Sequence, residues 1–152
     1  MRVAQDSNTA RILMIVEDEA MIALLLRDEL REAGYKVLEL TDRQEQALEV
    51  AKAEKPDLAL VNIGLAGGDD GIELSEHLKV MGIPVLLISG QANRASSAKT
   101  VAIGSMPKPY RATDMVLAVA HLLARLNGNR SLPRPAQLEV FDEEGFELAP
   151  AS

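Results

Sequence analysis

The chain has 152 residues, of which 47% are hydrophobic and only 3% aromatic, with no cysteine and a formal net charge of −7. That length holds one domain with an aliphatic core, and the lack of thiols excludes disulfide staples and thiolate metal sites. An acidic balance argues against direct nucleic-acid binding, because phosphates are held by clustered Lys and Arg. No apolar run approaches the ~20 residues that span a bilayer, and residues 1–10 lack the apolar segment of a secretory signal. A cytoplasmic protein with no membrane contact is the expectation.

In chain order, residues 1–10 read as a flexible N-terminal arm. Residues 11–16 (RILMIV) are an apolar run without helical period, as in a strand buried on both faces, and they stop at Glu17-Asp18-Glu19. From Ala20 the period changes, and Ile22, Leu25, Leu26, Leu30 and Ala33 share one helical face. Gly34 is placed to end that helix in the left-handed conformation. Residues 35–40 alternate weakly, as a further strand. Thr41 with Gln44 three positions on reads as a capping box for a helix to about Glu54.

Leu58-Ala59-Leu60-Val61 lies between Lys55-Pro56 and Gly64, a short apolar run between breakers, and therefore a central strand; it ends on the polar Asn62. Asp69 or Asp70 caps a helix to Met81; Asp69-Asp70 as a second metal site is the weaker reading. Residues 85–88 (VLLI) are a buried strand ending at Ser89-Gly90. Residues 93–102 read as a polar, alanine-rich helix and 103–106 as a very short strand. Residues 112–126 read as a helix facing inward with Val116, Val119, Ala120, Leu123 and Leu126. His77 and His121 fall on helices at a spacing that suits no metal, and the methionines read as core filler. From Asn127 the composition turns to Gly, Pro, Arg and then acids, giving a tail over 127–152. There Leu138, Val140, Phe141, Phe146 and Leu148 are interspersed with acids, a pattern that favours partial docking of a short extended or helical segment, with disorder, given Pro133, Pro135 and Pro150, as the alternative. Strict strand–helix alternation over 11–126 predicts an α/β domain with a parallel sheet and helices on both faces.

The strand ends gather Glu17 and Asp18, Asn62, Ser89 and Lys108 on one edge of such a sheet. Acids there suit a divalent cation; a hydroxyl and a lysine suit phosphoryl oxygens. Five pieces in this order, ILMIVEDE, PDLALVN, DGIEL, Ser89-Gly90 and Lys108-Pro109-Tyr110, resemble the receiver domain of two-component response regulators. The resemblance covers residues 11–126. It implies a flavodoxin-like (βα)5 doubly wound five-stranded sheet of order 2-1-3-4-5, and a role in phosphorelay signalling. It also implies Mg²⁺ held by Glu17, Asp18, the acceptor position and the carbonyl of Gly64, Ser89 and Lys108 against the phosphoryl group, and a cis Lys108–Pro109 bond. The implied partners are a sensor histidine kinase or phosphotransfer protein, with a homodimer through 93–126 as a further surface.

Two positions depart from the family pattern. Asn62 stands where the family has its phospho-accepting aspartate, and an amide has no anionic oxygen to attack phosphorus. Mg²⁺ is then expected to bind weakly or not at all. Ser105 stands where the family usually has an aromatic residue. The chain therefore reads as a pseudo-receiver, natural or made by an Asp-to-Asn change, and as no enzyme. The alternative, a flavodoxin-like enzyme or flavin protein, needs a phosphate-cradling loop after the first strand, where this chain puts three acids. Residues 127–152 are too short and, past Glu139, too acidic for a DNA-binding domain, so output is expected to pass to a separate partner, to a dimer or to the tail.

Overall fold

The computed structural model describes residues 10–90, 94 and 98–141. Its elements run β1 (Ile12–Val16), α1 (Ala20–Glu32), β2 (Lys36–Val37), α2 (Gln44–Ala53), β3 (Leu58–Asn62), α3 (Gly71–Val80), β4 (Val85–Ser89), β5 (Gly104–Pro107), α4 (Ala112–Leu126) and β6 (Glu139–Val140). The sheet order is β2-β1-β3-β4-β5-β6. Strands β1 to β5 are parallel, in the expected order, and β6 adds an antiparallel edge beside β5.

The aliphatic runs explain the layering. Along β1, β3 and β4 alternate side chains enter opposite cores. Leu13, Ile15, Leu58, Leu60, Leu86 and Ile88 pack with α1 and α4. Met14, Val16, Ala59, Val61, Val85 and Leu87 pack with the small residues Ala47 and Ala51 of α2 and with Leu74 and Leu78 of α3. A strand with solvent on one face would alternate with polar residues; these do not, because both faces are covered.

Several expectations change in detail. The inward face of α1 is Ala23, Leu26 and Leu30, while Leu25 is 61% exposed and Met21 69%. The apolar residues of α1 are more than one stripe can bury. The inward stripe of α4 is Met115, Ala118, Val119 and Leu122, rotated from the expected face so that Val116, Ala120 and Leu126 lie at its margin. The strand expected over 35–40 shortens to β2, with Leu38 still bonded to the Leu13 carbonyl and Thr41 bridged to Val16. That bridge explains why no capping box forms. Thr41 is held in the sheet, Arg43 is the N-cap of α2, and the Gln44 N–H donates instead to Asp69 Oδ2 at 2.9 Å. Gly34 ends α1 at φ 107°, as expected.

Of the helix expected over 93–102, residues 93 and 95–97 lie outside the described residues, Arg94 is helical, and residues 98–101 form turns and not a helix, with Ala98 and Ala102 buried. Residues 1–9 and 142–152 lie outside them too. Within the stretch expected as a tail, residues 129–141 cross α4 and return to the sheet, where Leu138 and Phe141 are buried. Their period of two explains the docking: Leu138 and Val140 enter one core and Phe141 the other, on opposite faces of one extended strand. The β5 edge of the expected 93–126 dimer surface is thus covered by the chain itself.

Candidate functional site

The register of β1 on β3 pairs Val16 with Val61, so Glu17 and Asp18 leave β1 beside Asn62 at the end of β3. Ser89 ends β4, and its carbonyl accepts a hydrogen bond from the Lys108 N–H at 3.0 Å. Lys108 follows β5, and its bond to Pro109 is cis, as the resemblance implied. The sheet therefore brings together all six residues singled out from the sequence, Glu17, Asp18, Asn62, Gly64, Ser89 and Lys108, at the C-terminal edge. This is where open α/β sheets place ligands, beside the switch in strand order between β1 and β3.

Two short polar networks fill the site. In the first, Lys108 Nζ lies 3.0 Å from Glu17 Oε1 and 3.8 Å from Glu19 Oε1. Glu17 Oε2 accepts from the Glu19 N–H at 3.2 Å. Burial pushes the Glu17 carboxyl above its ordinary value, and a hydrogen bond with Asp18 adds to this, while Lys108 opposes both. Glu19 was missed as a member of this group, although the run of three acids contained the signal. In the second network the Asn62 amide nitrogen donates to Asp18 Oδ1 at 3.1 Å and to the Gly64 carbonyl. Both neighbours are acceptors, so only the NH2 end of the amide satisfies them.

The loop behind Asn62 is held on three sides. The Gly71 N–H donates to the Ile63 carbonyl at 2.7 Å, and a Cβ on Gly71 would lie 2.1 Å from the Asn62 carbonyl oxygen. Asp70 caps α3 by accepting from the Ile72 N–H at 2.9 Å, and Asp69 reaches α2 as described. Both aspartates thus serve as caps, which is what the loop needs of them.

Carboxylate oxygens of Glu17, Asp18 and Glu19 lie within 4.8 Å of one another. Oxygen donors of this kind fit a hard divalent cation. The Asn62 amide, in the orientation seen, does not: it points hydrogens at Asp18 and at Gly64, two of the oxygens a cation would need. Beside the site an apolar groove of about 470 Å³ runs between α1 and the segment after β5, lined by Ile22, Leu25, Leu26, Pro109 and Tyr110 among others. Burial, and then the charge of Glu17, push the Tyr110 phenol up to about 12.

A doubly wound sheet with acids, a lysine and a hydroxyl at one strand-end cluster defines a class of phosphoryl- and cation-handling α/β domains. Within that class the chain belongs to the response regulator receiver domain family, whose model matches residues 13–120. It is 32% identical over 145 residues to the transcriptional regulatory protein BaeR of Escherichia coli, covering 92% of this chain and 59% of that protein. It is 28% identical over 124 residues to the transcriptional regulatory protein PdtaR of Mycobacterium tuberculosis, covering 79% of this chain and 60% of that one. A putative response regulator from Chloroflexus aurantiacus superposes with a TM-score of 0.70 at 27% identity, over 77% of this chain and all of that one. NtrX from Brucella abortus superposes at 0.72 and 27% identity, over 77% of this chain and 27% of that one. The chain thus spans about three fifths of the length of BaeR and of PdtaR. Receiver domains are signalling domains of two-component systems, generally without enzymatic activity, that meet histidine kinases or phosphotransfer proteins and bind Mg²⁺ through acidic residues. No helix of the described residues is long and apolar enough to cross a membrane.

Proposed function

We propose that this chain is a cytoplasmic receiver module that works by protein–protein contact, without accepting a phosphoryl group and without enzymatic activity of its own. The observation that carries the reading is the Asn62 amide at the end of β3, donating to Asp18 and Gly64. A carboxylate there would supply both a nucleophile and a metal ligand; an amide supplies neither charge. In this reading Glu17 and Asp18 would serve a cation, and Ser89 and Lys108, the latter paired with Glu17 as the site stands, would serve a phosphoryl group. Ser105, small and buried in β5, supports a readout that needs no rotating aromatic ring. The exposed Met21 and Leu25 on α1, beside the groove, support a sensor kinase or phosphotransfer protein as the partner contacted, with output passed to a separate protein.

Mg²⁺ binding is proposed to be weak. Unit charges ~4 Å apart interact with ~4 kcal/mol at an effective dielectric of ~20. If one third of that survives desolvation, loss of one carboxylate costs about tenfold in affinity. Turning the amide to offer its oxygen would also break two hydrogen bonds.

The test is labelling by a small phosphoryl donor with Mg²⁺, read by intact mass. The wild-type chain stays unlabelled, and Asn62→Asp gains one phosphoryl group that is stable in acid and labile in base, together with about tenfold tighter Mg²⁺. Labelling of the wild-type chain at any residue would overturn the reading of Asn62. An unlabelled but folded Asn62→Asp would show that Lys108, Ser89 and the acids no longer form a competent site.

A further inference from the structure

We propose that Arg125, Arg130 and Arg134 form a receiving surface for the chain's own acidic segment, residues 142–147, and that this contact fastens the end of β6 to the end of α4. The proposal does not depend on what Asn62 does.

The charges of the chain separate sharply after α4. From Arg125 to Arg134 the sequence is RLNGNRSLPR, three arginines and no acid. From Asp142 to Glu147 it is DEEGFE, four acids and no base, and between the two blocks only Glu139 carries a charge. Arg125 is half-buried, while Arg130 and Arg134 are exposed. Among the described residues no carboxylate forms an ion pair with Arg130 or Arg134. The three guanidiniums lie close enough to act on one another. Burial pushes Arg125 below its ordinary value, and the charges of Arg130 and Arg134 push it the same way. Carboxylates pair with guanidinium groups through two parallel hydrogen bonds, so a run of acids is the ligand such a cluster suits.

The path of the backbone brings the two blocks to one end of the sheet. Leu122 of α4 lies over the first residue of β5, since a Cβ on Gly104 would be 3.7 Å from its Cδ2. Helix α4 runs back along β5, so Arg125, about 4.5 Å further on, lies past the point where β5 begins. The chain then doubles back along α4. Asn129 donates its N–H to the Ala124 carbonyl at 2.9 Å, His121 donates from Nδ1 to the Leu132 carbonyl at 2.9 Å, and Gln137 reaches Asp114 at 3.4 Å. Strand β6 reverses once more, antiparallel to β5, and the Phe141 N–H donates to the Ile103 carbonyl at 2.9 Å. Asp142 therefore leaves β6 at the end of the sheet where α4 finishes. Ile103, Leu122, Leu126 and Val140 share one apolar cluster there. Six extended residues reach about 20 Å, and a helix is about 10–12 Å across, so 142–147 is long enough to lie over the arginines. Tethered at Phe141, it meets them at an effective concentration in the millimolar range, ahead of a free acidic chain at lower concentration.

The experiment uses the full chain labelled with 15N. The chain has no cysteine, so Ala149→Cys supplies the only thiol for a nitroxide. The amides of Arg125, Arg130 and Arg134 should broaden at an ionic strength of ~0.01 M. Most of that broadening should vanish at ~1 M, where the Debye length has fallen from ~30 to ~3 Å. Neutralising the segment (Asp142→Asn, Glu143→Gln, Glu144→Gln and Glu147→Gln) should abolish the broadening at low salt and speed exchange of the Phe141 N–H by about fivefold, with Ala59 unchanged. Arg130→Gln with Arg134→Gln changes two exposed residues and should weaken the broadening in the same way, which keeps the test decisive if the neutralised segment fails to fold. A wild-type chain without broadening at the arginines would overturn the proposal. Broadening that survives 1 M salt or both sets of substitutions would overturn it too, by assigning the contact to Phe146 and Leu148. Broadening of 15N-labelled chains by nitroxide on separate, unlabelled copies would place the segment on a neighbouring molecule and overturn the contact within one chain.

Discussion

Tyr35 is the one buried phenol of the core, and among the described residues its hydroxyl has no hydrogen-bond partner. Burial pushes it up to about 12, against an opposing contribution from Arg11. An unpaired buried hydroxyl costs about 1–3 kcal/mol in mutational series. Tyr35→Phe is therefore expected to raise stability by about 1 kcal/mol at neutral pH, read as a higher urea midpoint. The pH dependence follows from the same shift. The unfolded chain loses the phenol proton near 10.0 and the folded chain only near 12, so the unfolded state binds fewer protons in between. Stability from neutral Tyr35 is complete below pH 10 and drains away as pH rises toward 12, and Tyr110 behaves alike. Tyr35→Phe should flatten that alkaline loss in part, because Tyr110 remains. An equal slope in both proteins would show that Tyr35 ionises as freely in the fold as outside it. Asn62 poses the opposite case, a buried polar group whose two donors are both satisfied.

At the scale of elements, what the sequence could not show is which partner covers a face. Strands β1, β3 and β4 were legible because a run of aliphatics bounded by breakers has one good solution, burial on both sides. The stripe of α1 was misread at Leu25 because Met21, Ile22, Leu25 and Leu26 crowd the helix with more apolar residues than the sheet can cover. The cap of α2 was misread for another reason. A local pattern, Thr41 with Gln44, competes with a distant side chain, and Asp69 lies 25 positions away in sequence from the N–H it accepts. Nothing in a linear pattern announces that contact. It does carry a prediction: Asp69→Ala removes the side-chain acceptor at the start of α2 and should cost about 1 kcal/mol. Because the same loop leads into Asp70 and α3, Asp70→Ala should cost a similar amount through the Ile72 N–H. An unchanged urea midpoint for Asp69→Ala would mean that solvent serves the Gln44 N–H as well as the carboxylate does.

Over the whole molecule, the parallel sheet was legible from strand–helix alternation and the gathering of Glu17, Asp18, Asn62, Ser89 and Lys108 at one edge from strand-end residues, while strand order came only from the family resemblance. The sixth strand was legible only as one of two readings of the tail, the docking of an extended or helical segment carrying Leu138, Val140, Phe141, Phe146 and Leu148, with disorder as the other. A two-residue strand among acids carries little signal, and its stability comes from surfaces supplied by β5 and α4. That difference sets a hierarchy of openings. Burying a leucine or phenylalanine side chain contributes about 1.5–3 kcal/mol. Fixing each backbone residue costs about 1–2 kcal/mol. For β1, β3 and β4 nearly every residue brings a buried side chain to set against that cost, with the neighbouring strands already in place. For 129–141 two large side chains and one proline answer for the whole segment. Amide exchange should therefore separate into two classes. The N–H groups of β3, such as Ala59 bonded to the Pro84 carbonyl at 2.9 Å, should exchange only with global unfolding and track the urea stability. The Phe141 N–H, bonded at the same 2.9 Å to Ile103, should exchange through a local opening that responds weakly to denaturant. Equal bond lengths make the comparison clean, since any difference in protection then reports how much surface each opening exposes. Matching protection for Phe141 and Ala59, with the same denaturant dependence, would place β6 inside the cooperative core.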